Sequence, residues 1–199
     1  MDTENLIALL AADQAPPRKP RLRLRVAAGA VVSLGLMLAF WGLRPGWGAL
    51  GDQPVMLAKA VWPLALAALA GLLLNRPPMR TPPLWPLAVA SAVIVGGWIL
   101  AVAAGGAVFS GTTVACLISV PLLALPIGAA LFAGLGHRVV PLPARTGLVA
   151  GLCAGGLSAA IYALHCDEDA ASFFLLWYGV GILVCGLAGR VAGRRFLGV

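Results

Sequence analysis

The side chains with the most reactive chemistry in this sequence lie in one short polar stretch, residues 165–169. His165 and Cys166 are followed there by three carboxylates, Asp167 to Asp169, and long apolar segments lie on both sides. The carboxylates are expected to keep the stretch in water, so that the thiol is available for oxidation or for binding a soft metal ion. Which of these reactions occurs depends on the compartment that the stretch faces.

Long uncharged segments must position this stretch. Hydrophobic residues make up 61% of the chain and charged residues 11%, and residues 81–136 contain no Asp, Glu, Lys or Arg. A soluble domain would not tolerate such a segment, so the sequence predicts an all-α integral membrane protein, a six-helix transmembrane bundle. Each apolar run is about as long as a helix needs to cross a ~30 Å hydrocarbon layer. We place the spans at about residues 26–43, 55–74, 84–104, 112–135, 146–164 and 172–190.

The basic residues predict the orientation of the spans. Of the 14 Lys and Arg residues, only Arg44 and Lys59 fall on the side that carries residues 165–169. The others precede span 1, lie in the loops after spans 2 and 4, or lie at the end of span 6 and beyond it. Because positive residues are retained in the cytoplasm, both termini are predicted to be cytoplasmic in a bacterial inner membrane, with residues 165–169 in an oxidising compartment. The net charge of +7 is then explained by membrane orientation, and no direct nucleic-acid partner is expected.

A second cysteine is predicted at the same membrane level as Cys166. Cys116 lies near the start of span 4, whereas Cys153 and Cys185 lie inside spans and are expected to pack as small apolar residues. Three interpretations of the pair stay open. In the first, the pair is a structural disulfide or two unrelated thiols. In the second, it is a redox or thiophilic-metal sensor that joins spans 4 and 5. In the third, it binds a metal ion together with His165 and the carboxylates.

Small residues recur every four positions in span 5, at Gly147, Gly151 and Gly155. A stripe of this kind lets two helix backbones approach closely. The simplest interpretation is packing of span 5 against a neighbouring span of the same chain, and the alternative is a homodimer interface. At the outer ends of spans 5 and 6, Tyr162 and Tyr178 are expected to belong to an interfacial aromatic belt.

The N-terminal segment, residues 1–25, is the largest part predicted to lie in the cytoplasm. Leu6, Ile7, Leu9 and Leu10 form an apolar patch over about two helical turns, with Asp13 after them and two prolines beyond. Helices that lie on a membrane carry basic residues on their polar face, but this one is acidic. The pattern therefore favours a protein partner, while the basic residues before span 1 anchor that span to anionic lipid.

Several motifs together resemble the NrsF-type membrane anti-sigma factors, which are bacterial negative regulators of extracytoplasmic-function sigma factors. The similarity extends over essentially the whole chain. It is carried by residues 2–13, by Cys116 and the Leu-Leu-Ala-Leu-Pro at 122–126, by Tyr-Ala-Leu-His-Cys-Asp-Glu-Asp at 162–169, by Phe173 and Trp-Tyr-Gly at 177–179, and by Gly-Arg-Arg at 193–195.

The resemblance implies a function for each end of the chain. Residues 1–25 would be the cytoplasmic sigma-binding segment and basic anchor, and residues 26–199 the transmembrane sensor domain. The sigma factor would be released under oxidative or heavy-metal stress through two periplasm-facing cysteines, which correspond to Cys116 and Cys166, with His165 as a further candidate. The resemblance implies no enzymatic activity and no constitutive cofactor, and the one metal expected is a heavy-metal ion bound transiently.

A small-solute transporter or channel component with a structural disulfide is the alternative function. It would need a polar pathway through the bundle, and proton or ion pathways are usually lined by ionisable side chains. The middle of spans 3 and 4 contains none. A thiol oxidoreductase would normally carry a Cys-x-x-Cys pair, and the sequence contains none.

Overall fold

The computed structural model describes residues 3–5, 22–44, 54–75 and 81–198, and they contain helices and loops but no strand. Six long helices follow one another: α1 (Leu22–Phe40), α2 (Pro54–Leu74), α3 (Trp85–Ala103), α4 (Thr113–Leu135), α5 (Pro143–Tyr162) and α6 (Ala171–Phe196). Residues 3–5 are also helical. The predicted sigma-binding residues Leu6, Ile7, Leu9, Leu10 and Asp13 lie outside the described residues.

All six helices are long and apolar enough to cross a membrane, which confirms the predicted all-α class and the number of spans. The first and the last helix extend further than the apolar runs predict. α1 begins at Leu22 instead of residue 26, and α6 continues to Phe196 instead of residue 190. The added turns contain arginines, which favour helix but are excluded from an apolar run, so hydropathy alone places the helix ends too far inward.

Helix α5 lies at the centre of the bundle and packs against α6, α2 and α4. Its glycine stripe faces α6 within the same chain. A Cβ atom on Gly147 would meet the Gly189 carbonyl oxygen, and one on Gly151 would meet the carbonyl oxygen of Cys185. Because no side chain separates the two backbones at these positions, α5 and α6 make the most extensive helix contact in the described structure. Helix α3 lies at the edge, against α6, and Leu87 is its one buried residue.

Helix α1 packs along α4 in the antiparallel direction. A Cβ atom on Gly29 would lie 2.9 Å from Pro126 O and from Ile127 Cα, so the two backbones are in direct contact at that level. Nearby, Ser33 Oγ donates a hydrogen bond of 2.8 Å to the Leu123 carbonyl oxygen. At the start of α1, Arg25 Nη1 donates to the Ala133 carbonyl at 2.6 Å. The contact therefore runs from the beginning of α1 to its second half.

Candidate functional site

Cys116 and Cys166 come together at one end of the bundle, which we call the cysteine end. Cys116 lies in the first turn of α4, and Cys166 lies in the loop 163–170 that joins α5 to α6. The two side chains are neighbours at this end. Both are buried, at 0% and 3% exposure, and all four cysteines of the chain are free. The expectation of a solvent-exposed Cys166 thiol is therefore wrong, because the loop folds back onto the helices.

Lys59 holds that loop in place. Its ammonium group is fully buried and donates three hydrogen bonds, to the Cys166 carbonyl at 2.6 Å, the Glu168 carbonyl at 2.9 Å and Asp169 Oδ1 at 3.1 Å. The backbone of Cys166 is thus bonded directly to a charged group on α2. Sequence reasoning counted Lys59 only as one of two basic residues on this side. A lysine in an otherwise apolar span is itself a signal of a functional or structural charge pair.

Arg44, in the segment that follows α1, completes the arrangement. Its guanidinium group donates to both carboxylate oxygens of Asp169, at 2.8 and 2.7 Å, and its backbone N–H donates to the Leu164 carbonyl at 3.2 Å. A paired geometry of this kind fixes both position and orientation. We call Arg44, Lys59 and Asp169 the carboxylate clamp. It joins the loop that carries Cys166 to the ends of two other helices.

The clamp also determines the charge state of its carboxylate. The hydrogen bond from Arg44 and then that from Lys59 hold the pKa of Asp169 below its usual value of 3.8, against the opposing effect of burial. The same hydrogen bond raises the pKa of Arg44. A carboxyl group with a lowered pKa stabilises the folded protein above its unfolded pKa, and that contribution is lost only as the pH falls through the folded value. Asp169 is consequently ionised throughout the physiological range.

Two tyrosines cover the cysteines from the inside of the bundle. Tyr162 and Tyr178 are 2% and 0% exposed, their ring centroids are 6.1 Å apart, and both lie within electrostatic range of Cys116 and Cys166. Their assignment to an interfacial belt is therefore wrong, because the close approach of α5 and α6 turns both rings inward. The ring of His165 packs on Tyr162 at 5.7 Å, and its Nδ1 atom is buried without a hydrogen-bond partner.

The arrangement limits the metal chemistry that the site could perform. Within the described parts of the chain, no group of three or more His, Cys, Asp and Glu side chains is placed to hold a metal ion. A soft ion at the cysteine end would have the two thiolates as its ligands, and two-coordinate binding by thiolates suits only thiophilic metals. The carboxylate of Asp169 is already engaged by Arg44 and Lys59.

Comparison with known proteins finds relatives of this chain over nearly its whole length. The model of one protein family, "NrsF: Negative regulator of sigma F", matches residues 10–198. The chain is 34% identical over 214 residues to the "Anti-sigma-F factor NrsF" of Caulobacter vibrioides (strain NA1000 / CB15N), which covers 99% of both chains. It is 30% identical over 211 residues to the "Probable anti-sigma-F factor NrsF" of Azospira oryzae (strain ATCC BAA-33 / DSM 13638 / PS), again over 99% of both. No solved structure matches it. The chain therefore belongs to the NrsF family.

Proposed function

We propose that this protein is a non-enzymatic membrane anti-sigma factor that holds an extracytoplasmic-function sigma factor through its N-terminal segment. The sigma factor is released when Cys116 and Cys166 are oxidised or bind a thiophilic metal ion. The observation that carries the regulatory part is family membership over residues 10–198, together with two full-length relatives named as anti-sigma-F factors. The sensing part is supported by the convergence of the two free thiols at one end of the bundle.

In this proposal the six helices span the bacterial inner membrane, with both termini in the cytoplasm. The support is the distribution of charge between the two ends of the bundle. Arg25, Arg138 and Arg145 lie at the end opposite the cysteines. The two basic residues at the cysteine end, Arg44 and Lys59, are both paired with Asp169. Net positive charge is thus confined to one end, which the positive-inside rule assigns to the cytoplasm.

The proposed chemical step involves only the two thiols and an external reagent. With a two-electron oxidant, such as a disulfide or a peroxide, Cys116 and Cys166 together lose two protons and two electrons and form one S–S bond. With a divalent thiophilic ion, two S–metal bonds replace two S–H bonds and two protons are released. Either product ties the first turn of α4 to the loop 163–170, and a disulfide requires the two Cα atoms to lie within about 7 Å.

Helix α1 offers a physical route from the cysteines to the N-terminal segment. It contacts α4, which carries Cys116, from Arg25 to Ser33. Just beyond its other end, Arg44 is bonded to the loop that carries Cys166. A shift of either element would therefore move α1, whose first turn forms the end of residues 1–25. For a change from mostly bound to mostly free, the two forms must differ by about 5.5 kcal/mol in sigma affinity.

Removal of residues 1–17 should abolish co-purification of the cognate sigma factor with the membrane protein. Within that segment, Leu10→Asp should weaken binding by about tenfold or more, because it places a charge on the apolar patch of Leu6, Ile7, Leu9 and Leu10. Ala8→Asp adds the same charge on the opposite side of the predicted helix and is the matched control. Retention of the sigma factor after the deletion would disprove docking through this segment.

Serine at either Cys116 or Cys166 should leave inhibition of the sigma factor intact and remove its induction by oxidant or thiophilic metal. The physical reason is that neither variant can form the bond between α4 and the loop 163–170. Cys153→Ser is the matched control, because Cys153 is also buried and a serine there keeps a donor for the Ala67 carbonyl. Transcription from a sigma-dependent promoter is the measurement. Normal induction in both single variants would show that the pair is not the sensor.

A further inference from the structure

A cavity of about 300 Å³ lies at the end of the bundle opposite the cysteines. Two arginines line it, Arg145 in the first turn of α5 and Arg190 on α6. The remaining wall is mostly apolar and includes Leu84, Leu142 and Leu148. The cavity therefore combines two guanidinium groups with a hydrophobic lining, at the level where two apolar helices begin or end.

The two guanidinium groups have no protein counter-ion in the part of the chain that the structure describes. The ion pairs found there involve Arg44, Lys59 and Asp169. The carboxylates of the loop 163–170 lie at the other end of α5. The rise of that helix places them about 27 Å from Arg145. The Nε atom of Arg145 is buried and has no hydrogen-bond partner. Arg145 as a whole is half-buried, but an unpartnered buried N–H group is costly, so this geometry favours an anionic acceptor from outside the protein.

We propose that this cavity binds the phosphate of an anionic phospholipid. Arginine presents planar donors that match phosphate oxygens, and the leucines accept the glycerol and the first acyl carbons. A basic pocket between membrane helices on the cytoplasmic side suits a lipid head group. A soluble anion would not need the apolar wall. The proposal goes beyond the anti-sigma function and rests on the proposed orientation of the six helices in a bilayer.

Lipid retention by the purified full-length protein, measured by native mass spectrometry in a neutral detergent, tests the site. The protein should bind phosphatidylglycerol more tightly than phosphatidylcholine. Arg145→Gln with Arg190→Gln should weaken phosphatidylglycerol binding by about thirtyfold, at about fivefold for each charge near the surface. Arg194→Gln with Arg195→Gln is the matched control, because it removes two charges from the last turn of α6 outside the cavity wall. Because these two arginines are exposed and do not line the cavity, the effect of the control should stay below about threefold.

Three results would overturn the proposal. They are equal binding of the two lipids by the unaltered protein, equal losses in the two double variants, and full competition by millimolar inorganic phosphate. Equal losses would indicate a general basic surface, and competition by phosphate would indicate a soluble anion. If the double variant does not fold, Arg190→Gln alone can be tested in the same way, because Arg190 is exposed. Its phosphatidylglycerol affinity should fall by about fivefold.

Discussion

Asp169→Asn should destabilise the protein by about 3 kcal/mol and make Cys166 react faster with a thiol reagent. Lys59 is 0% exposed, so loss of the carboxylate leaves a buried ammonium group without its counter-charge. Asp169 is itself 35% exposed, which places the expected cost at the lower end for a broken buried pair. Loosening of the Cys166 backbone should follow, because Lys59 also holds its carbonyl. Denaturation in detergent and the rate of maleimide labelling of Cys166 measure the two effects.

Asp167→Asn is the control for that substitution. It removes the same charge from the same loop, but Asp167 is exposed and is not bonded to Lys59 or Arg44. Its effect on the free energy of unfolding should stay within about 0.5 kcal/mol. Labelling of Cys166 at the same rate in Asp169→Asn and the unaltered protein would show that the carboxylate clamp does not close the loop.

Gly151→Val should destabilise the bundle by about 3 kcal/mol, because the added side chain would push α5 away from α6. A Cβ atom at this position would meet the carbonyl of Cys185 and lie 2.9 Å from Gly186 Cα, and backbone atoms cannot move aside as a flexible side chain can. The midpoint of unfolding in detergent measures the loss. Gly128→Val on α4 is the matched control, since a Cβ atom there meets nothing within 4 Å.

The same variant separates the two interpretations of the glycine stripe. Contact between α5 and α6 within one chain predicts a loss of stability that does not depend on protein concentration. A dimer interface along Gly147, Gly151 and Gly155 predicts instead a change of oligomeric state. If Gly151→Val is as stable as the unaltered protein but no longer forms a dimer, the packing of α5 against α6 within one chain is contradicted.

The sequence predicts the helices well and the contacts between them poorly, for a physical reason. Transfer of apolar side chains from water determines which runs form helices, and this can be evaluated one residue at a time. The positions of Tyr162 and Tyr178 depend instead on the rotation of α5 against α6, which no single run contains. Interfacial preference therefore assigned both rings to the lipid surface, although the structure buries them.

Pairing of distant charges is the other feature that the sequence did not predict. The three residues of the carboxylate clamp lie in separate parts of the chain, and each has an ordinary explanation by itself. Lys59 and Arg44 can be explained as residues that flank a span, and Asp169 as part of a polar loop. What distinguishes them is that both basic residues on the predicted outer side meet the same carboxylate. An apolar span with one lysine near its start, and an acidic loop at the same level, is the pattern that could have indicated this pair.

The double attachment of α1, to α4 along its length and to the Cys166 loop through Arg44, has a thermodynamic consequence for the proposed sensor. Coupling between two sites is reciprocal, so a sigma factor that prefers the reduced form must make the cysteine pair harder to oxidise by the same free energy. A preference of about 5.5 kcal/mol corresponds to about 120 mV in the midpoint potential of a two-electron couple. The amount of sigma factor in the cell would then adjust the oxidant level at which its own regulator responds.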